Sequence, residues 1–177
     1  SSQPDEALRS AARQGLLTES ETVLSQTHRL LAEGRSRRMA IEFACQWLHV
    51  RDFDKNDTKN EKLFPEFVDL RAAMYEETVL FFEDLLRNNG SVLDIISADY
   101  TFLNERLAKH YGIPGIYGSR FRRVELSEGS ERGGLLRHGS VLAVTSFPNR
   151  TSPVLRGVWV LDNIYGAPPP PPPIMLL

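Results

Sequence analysis

The feature that most constrains the fold is a repeat of apolar side chains at helical spacing in the middle of the chain. Between Phe67 and Leu85 these side chains recur every three or four positions, which is the period of an amphipathic α-helix. The predicted buried face comprises Phe67, Leu70, Met74, Thr78, Phe81 and Leu85. Pro65 can begin such a helix without losing a hydrogen bond, and Asn88-Asn-Gly90 predicts its end. At 1.5 Å per residue this helix is about 36 Å long, enough to span a small domain.

Three further helices are predicted before the long one. The first begins within residues 2–5 and ends at Gly15. The second begins at a capping box in residues 18–21 and ends at Gly34, which is expected to adopt the left-handed conformation. The third covers residues 36–51. Its predicted buried stripe is Met39, Phe43, Trp47 and Val50.

Two short helices are predicted between the long helix and residue 115. Ser91 and Asp94 form a second, acidic capping box that begins a helix ending at Ser97. The other helix ends at Gly112. Its apolar positions are Phe102, Leu103, Leu107 and Tyr111.

The pattern changes near residue 115, where glycines become frequent. Residues 120–126 alternate as a short strand does, and residues 135–146 are apolar and predicted to be helical. Ser152 and Pro153 predict the start of a last helix that ends before Gly166, and Pro168 to Pro173 predict an extended polyproline II segment of about 19 Å. The predicted fold is mainly α: a helical bundle over residues 1–115, then a smaller glycine-rich loop-and-helix unit with a polyproline II tail over residues 116–177.

Composition excludes several classes of function. With 21 basic and 23 acidic side chains the net charge is -2, which argues against general electrostatic binding of nucleic acid. No apolar run approaches the ~20 residues that a membrane-spanning helix needs. The single cysteine excludes an internal disulfide and the two-cysteine motif that attaches haem c. Because the chain starts with Ser1 rather than Met, we expect it to be part of a longer polypeptide.

Most of the chemically capable side chains have an ordinary structural interpretation, so no catalytic residue and no metal-ligand set is predicted. Glu76, Glu77 and Glu83 are expected to form a solvated flank of the long helix. Cys45 and His49 lie four positions apart on one helix face, but without a second pair they are interpreted as a buried thiol and a histidine at a helix end.

The densest group of polar side chains lies between residues 146 and 156. Arg150 and Arg156 flank the N-terminus of the last predicted helix, an arrangement typical of sites for a carboxylate, a phosphate or a haem propionate. The alternative is a self-satisfied turn whose arginines pair with Asp99 or Asp162. His138 lies beside a glycine in an apolar stretch, where it is either a ligand or a hydrogen-bonded structural histidine.

Two blocks of sequence resemble a known family. The first comprises Phe64-Pro-Glu-Phe67 and residues 93–115; the second comprises Arg132-Gly-Gly-Leu-Leu136, Thr145-Ser146, Arg150-Thr-Ser-Pro-Val154, Arg156-Gly157 and Gly166 to Pro173. Together they resemble the large extracytoplasmic multidomain proteins of planctomycetes, whose domains of unknown function accompany c-type cytochrome modules. The resemblance covers nearly the whole chain.

The resemblance implies a periplasmic or extracellular, non-catalytic helical segment of a c-type-cytochrome-associated redox protein, active in electron transfer or peroxidase-like. Haem c is then expected in an adjoining domain, which is the expected partner, and no haem is expected to be bound covalently in this chain. Arg150 or Arg156 would compensate propionate charge and His138 would be an axial ligand. The alternative is a scaffold or interaction subunit of a larger protein assembly, with no redox role of its own.

Overall fold

The structure, a computed structural model, describes residues 3–34, 36–55, 59–127, 129–130 and 132–170. About 54% of the chain is helical and one small sheet has two strands, so the fold is mainly α as predicted. Within the described residues the α-helices are α1 (Glu6–Arg13), α2 (Ser20–Ala32), α3 (Ser36–Met39), α4 (Cys45–Trp47), α5 (Phe67–Arg87), α6 (Asp94–Ser97), α7 (Glu105–Tyr111), α8 (Gly139–Val144) and α9 (Pro153–Asn163). The strands are β1 (Tyr100–Leu103) and β2 (Arg122–Glu125).

Helix α5 is the central element, and the other elements of the core pack around it. It contacts α2, α3, α7, α8 and β1. The predicted apolar face is confirmed, because Leu70, Met74, Thr78, Phe81 and Leu85 are all buried. The helix begins at Phe67, two residues later than predicted, because Pro65 and Glu66 form the preceding turn.

The prediction of a solvated acidic flank on α5 is wrong. Glu77 and Glu83 are only 1% and 8% exposed. Glu83 is held between two arginines, with its carboxylate 3.2 Å from Arg37 and 3.1 Å from Arg87. Arg37 also pairs with Glu76 at 2.6 Å. Since α3 carries Arg37 across this side of α5, Glu76 and Glu83 face that helix, whereas Glu77 faces β1 and α7.

The third predicted helix forms, but with a different buried face. A π-helical turn, Ala40–Ala44, joins α3 to α4 and adds a residue to the helical turn. The added residue rotates the side chains that follow. The buried apolar side chains are Ala40, Ala44, Cys45, Leu48 and Val50, of which only Val50 belongs to the predicted stripe. Two other members of the predicted stripe, Met39 and Phe43, are 48% and 60% exposed.

At the N-terminal helices the structure confirms one predicted helix end and corrects two. Helix α1 is capped by Asp5, which accepts the backbone N–H of Leu8 at 2.9 Å, and Gly15 follows it with φ of 73°. The capping box is absent, because the Thr18 hydroxyl donates to the carbonyl of Gly15 and no side chain caps α2. Gly34 is not left-handed, since its φ is not positive.

Part of the helix predicted over residues 102–111 is a strand. Phe102 and Leu103 belong to β1, which pairs antiparallel with β2, with Thr101 opposite Val124. Asn104 then caps α7 by accepting the N–H of Leu107 at 2.9 Å. The helical spacing of the apolar residues is therefore overridden by pairing with the predicted strand, which is confirmed at Arg122–Glu125.

The last part of the chain packs on the same hydrophobic core as α5. The predicted helix over residues 135–146 is a 3₁₀ turn, Leu135–Arg137, followed by α8. Ser152 caps α9 as predicted, accepting the N–H of Leu155 at 3.2 Å, with Pro153 as the first helical residue. The division into two domains at residue 115 stays a prediction. The polyproline II segment also stays a prediction, because residues 171–177 lie outside the described ones.

Gly139 allows α8 to approach α5 and α7 closely. Two glycine-to-alanine substitutions, one at Gly139 and one at a control position, test this close packing. A Cβ at Gly139 would lie 2.6 Å from the Tyr111 hydroxyl and 2.8 Å from Cγ of Met74. We expect Gly139→Ala to lower the free energy of unfolding by about 1–3 kcal/mol, as overpacking does. The control Gly157→Ala, within α9 and with nothing within 4 Å of its Cβ, should raise it by about 0.5–1 kcal/mol. Urea unfolding measures both, and an unchanged Gly139→Ala would contradict the close approach.

Candidate functional site

A cleft lies between the start of α5, the end of α7 and helix α8. Its volume is about 610 Å³, within the range of small-molecule sites. Apolar side chains from three segments form its floor; they are Phe64, Phe67, Leu70, Met74 and Leu142. Polar and charged side chains also line it, namely Lys59, Glu66, His110, Tyr111, Arg132, Ser146, Arg150 and Thr151. Burial and the nearby Arg132 lower the pKa of His110.

Lys59 stabilises one side of the cleft through hydrogen bonds to backbone carbonyls. Its ammonium group donates to the carbonyl oxygens of Ala143, Ser146 and Phe147, at 2.7, 3.0 and 3.3 Å. The carbonyl of Ala143 lies in the last turn of α8 and the other two follow its end, where a cation is favoured by the helix dipole. The N–H of Asn60 also donates to the carbonyl of Pro148 at 2.9 Å. The segment before α5 is thereby held against the turn between α8 and α9, and burial lowers the pKa of Lys59.

Arg132, which also lines the cleft, is positioned by a ring contact and a hydrogen bond. Its guanidinium carbon lies 3.3 Å from the centre of the Tyr111 ring, a cation–π contact. One of its terminal nitrogens donates to the carbonyl of Arg137 at 3.1 Å. Arg150, also lining the cleft, lies over the ring of Phe147 at 5.1 Å. Among the described residues neither arginine has a carboxylate within ion-pair distance, whereas Arg29, Arg37, Arg87 and Arg123 each do.

The buried carboxylate of Glu77 lies next to the hydroxyl of Tyr111. The two carboxylate oxygens of Glu77 accept hydrogen bonds from the hydroxyls of Thr101 at 2.6 Å and Tyr111 at 2.7 Å. The Tyr111 oxygen in turn accepts the N–H of Gly139 at 2.9 Å. Burial, and then the nearby Glu77, raise the pKa of Tyr111, so its hydroxyl stays a donor. This cluster fixes the aromatic ring on which Arg132 is stacked.

His138 lies in the core rather than in the cleft. It is 2% exposed, its Nδ1 is 3.1 Å from the hydroxyl of Thr78, and that hydroxyl is 2.7 Å from the hydroxyl of Ser140. The ring meets Phe81 edge-on at 5.1 Å, and Nε2 has no hydrogen-bond partner among the described residues. Burial lowers the pKa of His138, so the ring is neutral.

The three predicted site residues do not come together. Arg150 lines the cleft, His138 lies behind its wall, and Arg156 contacts the hydroxyl of Thr145 at 3.3 Å without lining the cleft. Their role in binding a cofactor stays a prediction. In the described part of the chain, no group of three or more potential metal ligands is found, and no helix is both long and apolar enough to cross a membrane.

Sequence reasoning missed Arg132, Tyr111 and Glu77, although one signal for the first of them was present. Gly133 and Gly134 follow Arg132 directly, with φ of 139° and 63°. A Cβ on either would lie within 2.5 Å of a backbone oxygen near α6. Tandem glycines indicate such a close approach, which fixes the backbone beside Arg132.

Comparison with protein families assigns most of the chain. Residues 1–113 match the model of the PSD4 family, described as proteins of unknown function (DUF1592). The chain belongs to the PSD4 family. Residues 132–176 match the PSCyt3 model, also described as proteins of unknown function (DUF1588), and the name of this second family hints at an association with cytochromes. No curated protein and no solved structure matches the chain. The cleft takes Tyr111 from the PSD4 region and Arg132 from the PSCyt3 region.

The buried Glu77 cluster predicts different effects of substitution at two adjacent glutamates. Glu77→Met keeps the length of the side chain but leaves the hydroxyls of Thr101 and Tyr111 without an acceptor. We expect a loss of about 2–4 kcal/mol in the free energy of unfolding, since each buried, unsatisfied hydroxyl costs about 1–3 kcal/mol and the relief of a buried charge offsets part of the total. Glu76→Met, which removes a partly exposed ion pair with Arg37, should cost less than about 1 kcal/mol. Equal losses in urea unfolding would show that Glu77 is not held as described.

The buried His138 predicts a dependence of stability on pH. Its folded pKa is lowered, so below the ordinary histidine pKa of about 6.5 only the unfolded chain takes up the proton. Stability therefore decreases as the pH falls through this range, by at most about 1.4 kcal/mol per pH unit from this residue. His138→Phe should show a smaller loss between about pH 7.5 and pH 5 in urea unfolding. The same loss in both proteins would mean that His138 is not the group responsible.

Proposed function

We propose that the chain is a non-catalytic helical segment of an extracytoplasmic, c-type-cytochrome-associated redox protein, with an electron-transfer or peroxidase-like role. The observation that carries this proposal is the pair Arg150 and Arg156, two cations without a carboxylate partner among the described residues, one lining the cleft and one in the first turns of α9. The cytochrome-related name of the PSCyt3 family supports the same assignment. Such a protein would act in the periplasm or outside the cell.

The residues of this chain do not fit a haem of its own. Its one cysteine, Cys45, is buried, and burial raises the pKa of its thiol to about 11. Covalent attachment of haem c needs two cysteines. The Nε2 of His138 is enclosed, so the ring would have to leave its contacts with Thr78 and Phe81 to reach an iron. We therefore place any haem in an adjoining domain.

The chain's own contribution would be electrostatic. Arg150 is exposed beside the cleft, and Arg156 uses its Nε on Thr145. Within the described residues no carboxylate neutralises either guanidinium at ion-pair distance. Arginine holds a fixed charge and binds carboxylates through two parallel hydrogen bonds. Both arginines are thus suited to compensate the negative edge of a haem in the neighbouring domain, where the haem would carry the electron.

The test uses the whole parent protein, produced in a host that matures c-type cytochromes. Its absorption spectrum is expected to show a Soret band. Arg150→Gln and Arg156→Gln should each lower the midpoint potential, because removing a cation near the haem favours the more positive ferric state. Arg13→Gln, on α1 and paired with Glu6, is the matched control and should leave the potential unchanged. A protein without a Soret band, or unchanged potentials in both variants, would overturn the proposal.

The alternative, a scaffold or interaction subunit, is favoured by one observation on α9. This helix carries exposed apolar side chains at helical spacing, Val154, Val158 and Leu161, and the exposed Tyr165 follows just beyond its end. Contiguous exposed apolar surface often marks a site of protein contact. Size-exclusion chromatography with light scattering on the parent protein discriminates the two. A haem-free assembly that Val158→Glu dissociates supports the scaffold, whereas a haem-containing monomer contradicts it.

A further inference from the structure

The guanidinium of Arg132 is fixed in place but largely unused by the protein. It is stacked on the Tyr111 ring at 3.3 Å and tied to the carbonyl of Arg137 at 3.1 Å. Among the described residues its other N–H groups have no protein acceptor, and no carboxylate lies within 4.0 Å of it. An arginine that is held by stacking loses little freedom when it binds a ligand, so its free N–H groups are well prepared to receive one.

The rest of the cleft offers almost no other strong polar partner near its floor. Leu70 and Met74 are buried there, and Leu142 completes the apolar surface. The Tyr111 hydroxyl is already used, since it donates to Glu77 and accepts from Gly139. The body of a ligand would therefore contact apolar side chains, and one end of it would contact the guanidinium of Arg132.

The charges around the cleft favour an anion. Lys59 and Arg150 line it together with Arg132, and Glu66 is the one acidic residue among the described lining residues. Lys59 is occupied with the carbonyls after α8, so Arg132 and Arg150 are the groups best placed to bind. A planar guanidinium matches a planar carboxylate through two hydrogen bonds.

We infer that the cleft binds an organic carboxylate with an apolar body, and that Arg132, stacked on the Tyr111 ring, binds the carboxylate group. The inference rests on the contacts of Arg132 and on the lining of the cleft, and it holds whether or not the chain accompanies a cytochrome. The carboxylate has two sources, a free carboxylic acid or the propionate edge of a tetrapyrrole.

The first experiment compares octanoate with octanol by isothermal titration calorimetry on the full chain. The two probes share an apolar body and differ in the carboxylate. Octanoate should bind at least about tenfold more tightly, as a charge-assisted hydrogen bond to a fixed arginine implies. Arg132→Gln should abolish this preference, and Arg132→Lys, which keeps the charge but loses the fork, should retain part of it. Arg13→Gln, far from the cleft lining, is the control and should bind as the parent chain does.

Two further arms separate the sources of the carboxylate. Protoporphyrin IX is compared with its dimethyl ester, which lacks the free propionates. An Arg132-dependent preference for the porphyrin acid alone assigns the site to propionates, and one for octanoate alone assigns it to free acids. The inference is overturned if neither acid binds more tightly than its neutral partner, or if Arg132→Gln and Arg132→Lys keep the full preference while circular dichroism shows that both are folded. A missing Soret band in the parent protein would overturn the proposed function and leave this result unaffected.

Discussion

The buried carboxylate of Glu77 is the interaction on which the rest of the structure depends. It lies on α5 and accepts hydroxyl groups from Thr101 on β1 and Tyr111 on α7, while the Tyr111 oxygen accepts the N–H of Gly139 on α8. Four elements are thereby joined through one charged group that water does not reach. A buried carboxylate without donors is very costly, so these hydroxyls stabilise the fold by bonding to it. The same bonds orient the Tyr111 ring that carries Arg132.

The parts of the fold that could be predicted are those specified by neighbouring residues. The apolar face of α5, the Ser152 cap of α9 and the strand around Val124 all follow from local spacing or local hydrogen bonds. The errors arose where distant contacts decide. Phe102 has helical spacing but pairs with β2, and Glu77 looks like a surface residue until partners 24 and 34 positions away reach it. The π-helical turn before Cys45 has no local signal that we recognise.

The candidate site was predictable to a similar extent. Arg150 could be found because it belongs to a polar turn before a helix, and this is a local pattern. For Arg132 the tandem glycines indicate only a close backbone approach; its significance comes from stacking on Tyr111, and no carboxylate balances it in the described structure. For His138 the sequence suggested a role that the structure does not favour. A histidine beside a glycine can be a ligand, but this one is enclosed in the core against Phe81. Composition identifies groups that can bind, whereas burial decides which of them are accessible.

The central claim is that the hydrogen bond between Glu77 and Tyr111 fixes the aromatic ring on which Arg132 is stacked. A double-mutant cycle tests this claim most directly. Urea unfolding is measured for Glu77→Met, Tyr111→Phe and the double variant. Each single change removes the same hydrogen bond and leaves its partner buried, so the combined loss should be smaller than the sum by about 0.5–3 kcal/mol. Losses that add to within about 0.3–0.5 kcal/mol would contradict the account, because they would show that the two side chains act independently.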